Sequence, residues 1–276
     1  MTHDTFGEYV EFYKMQGCGN DFVAVDNRSA GIPVEAMPEL VVKACRRAFG
    51  ISADGMFFLE EAPAGSGLDY RWHFYNSDGS RAEMCGNASR CAARLAHALG
   101  LAPARHVFGT DAGPVEAEVL AGTNRARVRL PAPRDLKLDQ PLDVDGQSLT
   151  VHFVNTGVPH AVVFVADVEK VDVAGLGRAL RFHPHFAPAG TNVNFVQVLS
   201  PSDMLLRTYE RGVEAETYAC GTGAAASQLV ANALDLTGDA AGLKTTGGEI
   251  LGITLQSDAV YLEGAAEMVF TGRYYR

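Results

Sequence analysis

The chain has 276 residues, 47% of them hydrophobic and 20% charged, with a formal net charge of −10 at pH 7. That balance describes a globular protein with room for two mid-sized cores, and an acidic surplus without any dense Lys/Arg block argues against nucleic acid or an anionic membrane surface as partner. The five cysteines are odd in number and never spaced C-x-x-C, no basic-then-apolar leader opens the chain, and no apolar run nears the ~18 residues of a membrane span; a cytoplasmic protein with reduced thiols is expected.

Alternation predicts strands over residues 8–14 and 21–26, joined by the turn Gly17-Cys18-Gly19-Asn20, then an amphipathic helix over 40–48 ending at Gly50. Strands follow at 56–60 and 71–75, a polar loop at Asn76-Ser77-Asp78-Gly79-Ser80, and a first long helix behind Cys85 that Gly100 stops. Val107, 115–120 and 126–130 are assigned to hairpin strands, and Pro131-Ala132-Pro133 to a crossing between domains. The second half repeats this order: strands at 148–154 and 161–165 around the turn Asn155-Thr156-Gly157-Val158-Pro159-His160, a helix over 173–180, and strands at 194–199 and 205–210. A helix behind Cys220 comes next, then strands at 250–255 and 259–263, and a last strand at 267–274 that returns to the first domain.

Two short segments are alike. Glu83-Met84-Cys85-Gly86-Asn87 and Tyr218-Ala219-Cys220-Gly221-Thr222 each run into an alanine-rich helix, so each puts a thiol beside unsatisfied N–H groups and the positive end of the helix dipole. That setting lowers a cysteine pKa from ~8.5 toward neutrality. One cysteine at a helix start is more often a small buried hydrophobe than a base. Two in matched settings suit a reaction in which one base takes a proton from a carbon and its twin reprotonates the opposite face. An α-proton of an amino acid is weakly acidic, so its removal calls for a close base, a stabilised carboxylate and exclusion of water. Two helix N-termini converging on one carboxylate answer that need, and no pyridoxal-like site is visible among the scattered lysines.

Five blocks carry a resemblance: residues 14–22 (KMQGCGNDF), 76–80 (NSDGS), 83–87 (EMCGN), 190–195 (GTNVNF), and 209–212 (YERG) with 219–223 (ACGTG). In this order they resemble the diaminopimelate epimerase family. The resemblance implies an α+β fold of two pseudo-symmetric domains, each a curled, mostly antiparallel sheet around a central helix, with the active site in the cleft between them. The domains expected are 1–130 plus 265–276, carrying Cys85, and 131–264, carrying Cys220. The implied activity is cofactor-free interconversion of LL- and meso-diaminopimelate, on the bacterial route to lysine and peptidoglycan, with no metal; a homodimer is allowed. By the same resemblance Cys85 and Cys220 are the two bases, His160 and Glu210 tune them or fix substrate groups, and Gly86, Asn87, Gly221 and Thr222 supply donors. Asn20, Asn76, Asn192, Glu210 and Arg211 would bind the distal amino and carboxylate groups. On the residues alone, each Asn reads as a turn residue and His160 as a turn histidine.

The chain departs from the family where Val158 replaces the usual Asn before Pro159-His160, with Asn155 a candidate to compensate. Ala88 replaces a glycine after Cys-Gly-Asn, and the stretch around Glu214 is one residue longer. His183-Pro184-His185 has metal-like spacing without nearby carboxylates, Cys91 falls on another face of its helix, and Cys18 could line the cleft. Two alternatives stand beside the main reading. One is an epimerase or racemase for proline, hydroxyproline, histidine or another amino acid. The other is a binding protein in which the cysteine pair is a redox switch or metal site.

Overall fold

Apolar–polar alternation over most of the chain makes strands, and two alanine-rich runs make the helices those strands wrap. A computed structural model describes residues 2–257 and 259–276. It divides into two units, one running to Val128 and resuming at Gly264–Arg276, the other spanning Arg129–Glu263.

In the first unit β1 (Thr2–Asp4), β2 (Gly7–Gly17), β3 (Asn20–Asp26), the short α1 (Asn27–Ala30), α2 (Met37–Cys45), β4 (Gly55–Glu61) and β5 (Tyr70–Asn76) precede α3 (Gly86–Ala98). The strands β6 (Arg105–Thr110), β7 (Gly113–Val119) and β8 (Arg125–Leu130) follow it. The second unit runs β9 (Arg134–Val144), β10 (Gln147–Asn155), β11 (Pro159–Phe164), α4 (Val173–Arg181), β12 (Asn192–Ser200), β13 (Asp203–Glu210) and β14 (Ala215–Thr217) into α5 (Gly221–Ala233). It ends with β15 (Ala240–Thr245), β16 (Ile250–Gln256) and β17 (Ala259–Ala265). The last strand, β18 (Glu267–Tyr275), pairs antiparallel with β2.

Strand pairing repeats element for element. In the first unit β2–β3 is antiparallel, β3–β4 parallel, β4–β5 antiparallel, β5–β6 parallel, and β6–β7 antiparallel. In the second, β10–β11, β11–β12, β12–β13, β13–β15 and β15–β16 show the same senses in the same order. Each parallel step needs a crossover. The helices α2 and α4 make the first crossover of each unit, and α3 and α5 the second. The fold is α+β, and its internal repeat lies in this topology.

The second crossover helix of each unit lies inside its sheet. α3 packs against β2, β3, β4 and β7, and α5 against β10, β11, β12, β15 and β16. Small side chains permit that close wrapping: Ala88, Ala92, Ala93 and Ala96 in α3, and Ala224, Ala225, Ala226 and Ala231 in α5, are all completely buried. At Gly17 an added Cβ would lie 3.1 Å from the Asn87 carbonyl and 3.3 Å from the Cys91 sulfur, so β2 approaches α3 there as closely as a glycine allows. A further core in each unit lies under the outer helix. Leu40, Val41 and Ala44 of α2 meet Val23, Val25, Met56 and Phe58; Val173 and Leu180 of α4 meet Val163, Val193, Phe195 and Tyr209.

Several elements differ from the sequence expectation. α2 starts at Met37 because Pro38 occupies a first-turn position, where its missing N–H costs nothing, and ends at Cys45 because Arg46 is extended and Ala48 has φ +67°. β9, eleven residues long, was not expected: it is a mostly exposed strand whose charged residues hide the alternation, with Asp135 and Asp139 at positive φ. β14 and β15 were also missed, the first for its brevity and the second for its small residues, Ala240-Ala241-Gly242. No helix among the described residues is long and apolar enough to cross a membrane.

Candidate active site

Each unit puts a cysteine at the N-cap of its central helix. Cys85 has φ −142° and ψ 121°, Cys220 φ −124° and ψ 107°: both are extended residues that hand over to a helix at the following glycine. Their carbonyls accept the first helical bonds, from Ser89 at 2.8 Å and Ala224 at 2.9 Å. The first-turn amides, those of Gly86 and Asn87 in one unit and of Gly221 and Thr222 in the other, have no acceptor within their helix, so each helix start can receive an anion such as a carboxylate. Cys85 is half-buried and Cys220 is 8% exposed. All five cysteines are thiols rather than disulfides. Burial pushes Cys45 and Cys91 up to about 12, so those two are inert apolar fillers.

Around the first helix start, Asn87 Nδ2 donates to Asn20 Oδ1 at 2.5 Å, and Asn20 Nδ2 donates to Asp54 Oδ2 at 2.9 Å. The bridge ties the β2–β3 turn to the helix and leaves the buried Asn87 Oδ1 without a hydrogen-bond partner among the described atoms. An acceptor in that condition suits the ammonium of an amino acid. Asn76 closes its own turn instead: it is exposed at the end of β5, and its Nδ2 donates to Ser80 Oγ at 3.0 Å. Cys18, expected to line a cleft, is fully buried with its sulfur 3.2 Å from Arg90 Nη2. Its φ of +55° in the tight turn directs it inward.

Around the second helix start the side chains form a continuous polar set. Cys220 Sγ is 3.5 Å from Thr222 Oγ1, which is 3.0 Å from His160 Nε2. His160 Nδ1 is 3.1 Å from Asn194 Nδ2, and Asn194 Oδ1 accepts from Thr208 Oγ1 at 3.0 Å. Thr156 Oγ1 donates to the Thr222 carbonyl at 3.0 Å. Complete burial, and secondarily the Arg211 charge, push the His160 pKa down to about 3, so the imidazole is neutral at physiological pH. Asn192 is tied to backbone on both sides, donating to the Pro159 carbonyl at 2.9 Å and accepting from the Arg211 N–H at 2.8 Å. It shapes the Arg211 loop. Arg211 Nη1 donates to the Ala189 carbonyl at 3.1 Å, and Glu210 Oε2 accepts from Thr217 Oγ1 at 3.0 Å.

Strand register equates residues of the two units. The parallel ladders open with Phe22 opposite Gly55 and with His160 opposite Asn192, which equates Asn20 with Val158 and Asn76 with Glu210. Asn155, the candidate to compensate for the missing Asn at 158, accepts from the Gly157 N–H at 3.0 Å with its oxygen inside its own turn. The extra residue near Glu214 is absorbed by a turn in which Glu214 has φ +58°, leading into β14. His183 is spent on backbone, its Nδ1 accepting from the His185 N–H and its Nε2 facing the Asp143 carbonyl. Sequence reasoning missed Asp54, Thr156, Asn194, Thr208 and Thr217. For Asn194 a signal existed: two residues after Asn192 in a strand, it shares that residue's face.

The architecture is shared with solved structures of low identity. A Bacillus anthracis phenazine biosynthesis protein of the PhzF family superposes with a TM-score of 0.74 at 13% identity, covering 96% of this chain and 99% of that one. A hydroxyproline epimerase from Agrobacterium vitis superposes with a TM-score of 0.67 at 15% identity, covering 99% and 94%. On this fold a cysteine caps the equivalent helix of each repeat. The family model for diaminopimelate epimerase matches residues 12–133 and 152–269, one stretch for each repeat. A relative from Aquifex aeolicus (strain VF5), named diaminopimelate epimerase, is 45% identical over 276 residues, covering 96% of this chain and 97% of that relative. The chain belongs to the diaminopimelate epimerase family.

Proposed function

We propose that this protein interconverts LL- and meso-diaminopimelate with Cys85 and Cys220 as its two bases and without a cofactor, in the supply of lysine and peptidoglycan precursors. The observation that carries the reading is the matched pair of cysteines capping the equivalent helices of two repeats. In one direction a thiolate takes the α-proton and becomes a thiol. The electron pair left on Cα delocalises into the carboxylate, which the first-turn amides stabilise as charge develops there. The other thiol then delivers its proton to the opposite face and becomes the thiolate, so atoms and charge balance. The reverse reaction exchanges the roles.

Gly86, Asn87, Gly221 and Thr222 would hold the reacting carboxylate through backbone N–H groups. Asn20, Asn76, Asn192, Glu210 and Arg211 are the candidates for the distal amino and carboxylate groups, Arg211 by bidentate pairing. His160, neutral and buried, acts by donating or accepting hydrogen bonds rather than as a charged group. A thiol pair that must stay reduced supports a cytoplasmic location. Exposed Met268, Val269 and Phe270 on β18 support a homodimer that covers this strand with a second copy.

The test is incubation of reduced protein, without added pyridoxal phosphate or metal, with LL-diaminopimelate in deuterium oxide. The expected product is the meso isomer carrying deuterium at the inverted centre. Absence of turnover on diaminopimelate, with turnover on another amino acid, would refute the substrate assignment and direct attention to Val158.

A further inference from the structure

The structure assigns a role to a residue for which the family resemblance implied none: we propose that Asn194 is a positioning residue that fixes the tautomer of His160 and so aims the Thr222 hydroxyl at the Cys220 sulfur. The proposal rests on Cys220 serving as a base in the reaction above.

The orientation of the Asn194 amide is settled by its neighbours. Its Nδ2 lies 2.9 Å from the Ala161 carbonyl, which can only accept, and its Oδ1 accepts from Thr208 at 3.0 Å. Flipping the amide would set oxygen against oxygen at Ala161. Nδ2 therefore donates to His160 Nδ1, which must carry a lone pair. A neutral imidazole with Nδ1 unprotonated has its proton on Nε2, and that proton goes to Thr222 Oγ1 at 3.0 Å. Occupied as an acceptor from His160, the Thr222 hydroxyl retains one proton, and Cys220 Sγ at 3.5 Å is there to receive it. The donors run in one direction, Asn194 to His160 to Thr222 to sulfur, and a chain of that polarity stabilises a thiolate. The depressed His160 pKa agrees with this arrangement, because a protonated ring would bring Nδ1–H against Asn194 Nδ2–H.

The other repeat supplies an internal comparison. By strand register His160, Asn194 and Thr208 are equivalent to Phe22, Phe57 and Phe74. Those three rings pack together, Phe22 lying 6.4 Å from Phe57 and 6.0 Å from Phe74 between centroids. The same layer of the same architecture is thus filled by apolar side chains in one unit and by a fully paired polar triad in the other. Burying three polar side chains gives the fold nothing that three phenylalanines do not supply at lower desolvation cost. Their presence beneath Cys220 is explained by what they do to the helix start.

The measurement is made on the unmodified protein without substrate. Long-range proton–nitrogen correlation of 15N-histidine-labelled protein should show His160 neutral, with its proton on Nε2, from about pH 5 to 8. A proton on Nδ1, or an imidazolium in that range, would overturn the proposal. In parallel, iodoacetamide alkylation of Cys220, followed on its peptide by mass spectrometry, should slow about tenfold at pH 7 in Thr222→Val, the change expected from a shift of about one pKa unit, and should be retained in Thr222→Ser. Equal rates in the Val variant and the parent would refute a hydroxyl aimed at sulfur. In Asn194→Asp the carboxylate can only accept, so the histidine proton should move to Nδ1 and Cys220 alkylation should slow as in Thr222→Val. A merely structural Asn194 would leave the tautomer on Nε2 in whatever fraction folds. All these readouts are independent of substrate, so their failure falls on the donor chain, whereas failure of the deuterium experiment falls on the proposed reaction.

Discussion

Gly223→Ala is the substitution for which helix propensity and packing make opposite predictions. At the third residue of α5 alanine should stabilise the helix by at most ~1 kcal/mol over glycine. A Cβ built at Gly223, however, lies 2.3 Å from Asn194 Oδ1 and 3.2 Å from the Cys220 sulfur. Asn194 cannot yield cheaply, because it is completely buried and held by Thr208, His160 and the Ala161 carbonyl. Displacing it forfeits bonds to three partners at ~1 kcal/mol each. Setting ~3 kcal/mol of loss against at most ~1 kcal/mol of propensity leaves a net destabilisation of at least about 2 kcal/mol. In the other repeat Ala88 occupies the equivalent place after Cys-Gly-Asn, and the layer beneath it is phenylalanine. Urea titration followed by circular dichroism reads the effect, with Gly238→Ala as control: an added Cβ there meets nothing within 4 Å, and its stability should stay within ~0.5 kcal/mol of the parent. A Gly223→Ala protein as stable as the parent, or more stable, would refute the packing argument.

Cys85→Ala and Cys220→Ala should each abolish epimerisation, while hydrogen exchange without inversion survives at the face served by the remaining sulfur; full epimerisation by either variant, in the deuterium assay, would end the two-base assignment. Because the His160 pKa falls from 6.5 to about 3 on folding, the unfolded chain binds more protons between those values, and His160 contributes stability that is complete above pH 6.5 and is lost as pH falls toward 3. Between pH 7 and pH 5 that loss is about 2 kcal/mol, and denaturant titrations should show the dependence reduced by that amount in His160→Gln; identical slopes would contradict a neutral buried ring. Phe270→Glu should dissociate the proposed homodimer, read by sedimentation velocity, and a parent that sediments as a monomer would remove that proposal.

Much of this was legible because it depends on local rules. A cysteine, a glycine and a hydrogen-bonding residue before an alanine run specify a helix start, and both helices begin there. The order of strands and helices also follows from period and punctuation. What escaped depends on partners distant in sequence. β9 is an exposed strand whose Lys137 and Asp139 face solvent, so no apolar period marks it. Sequence shows only that Asn194 shares a strand face with Asn192. Only the pairing of β11 with β12 and of β12 with β13 brings His160, Asn194 and Thr208 together, and only the register of the other repeat shows phenylalanines in their place.

The pairing of β18 with β2 bears on the order in which the protein is made. The second unit is one uninterrupted stretch, Arg129–Glu263, and can close its sheet as soon as that stretch is synthesised. The first unit is begun first and completed last: from Tyr9 to Gln16 one edge of β2 takes Glu267–Tyr275 as its partner, and that segment emerges only after the whole second unit. During translation the half that bears Cys85 therefore waits with an open strand edge, exposed to wrong pairing, while the half that bears Cys220 has its whole sequence available.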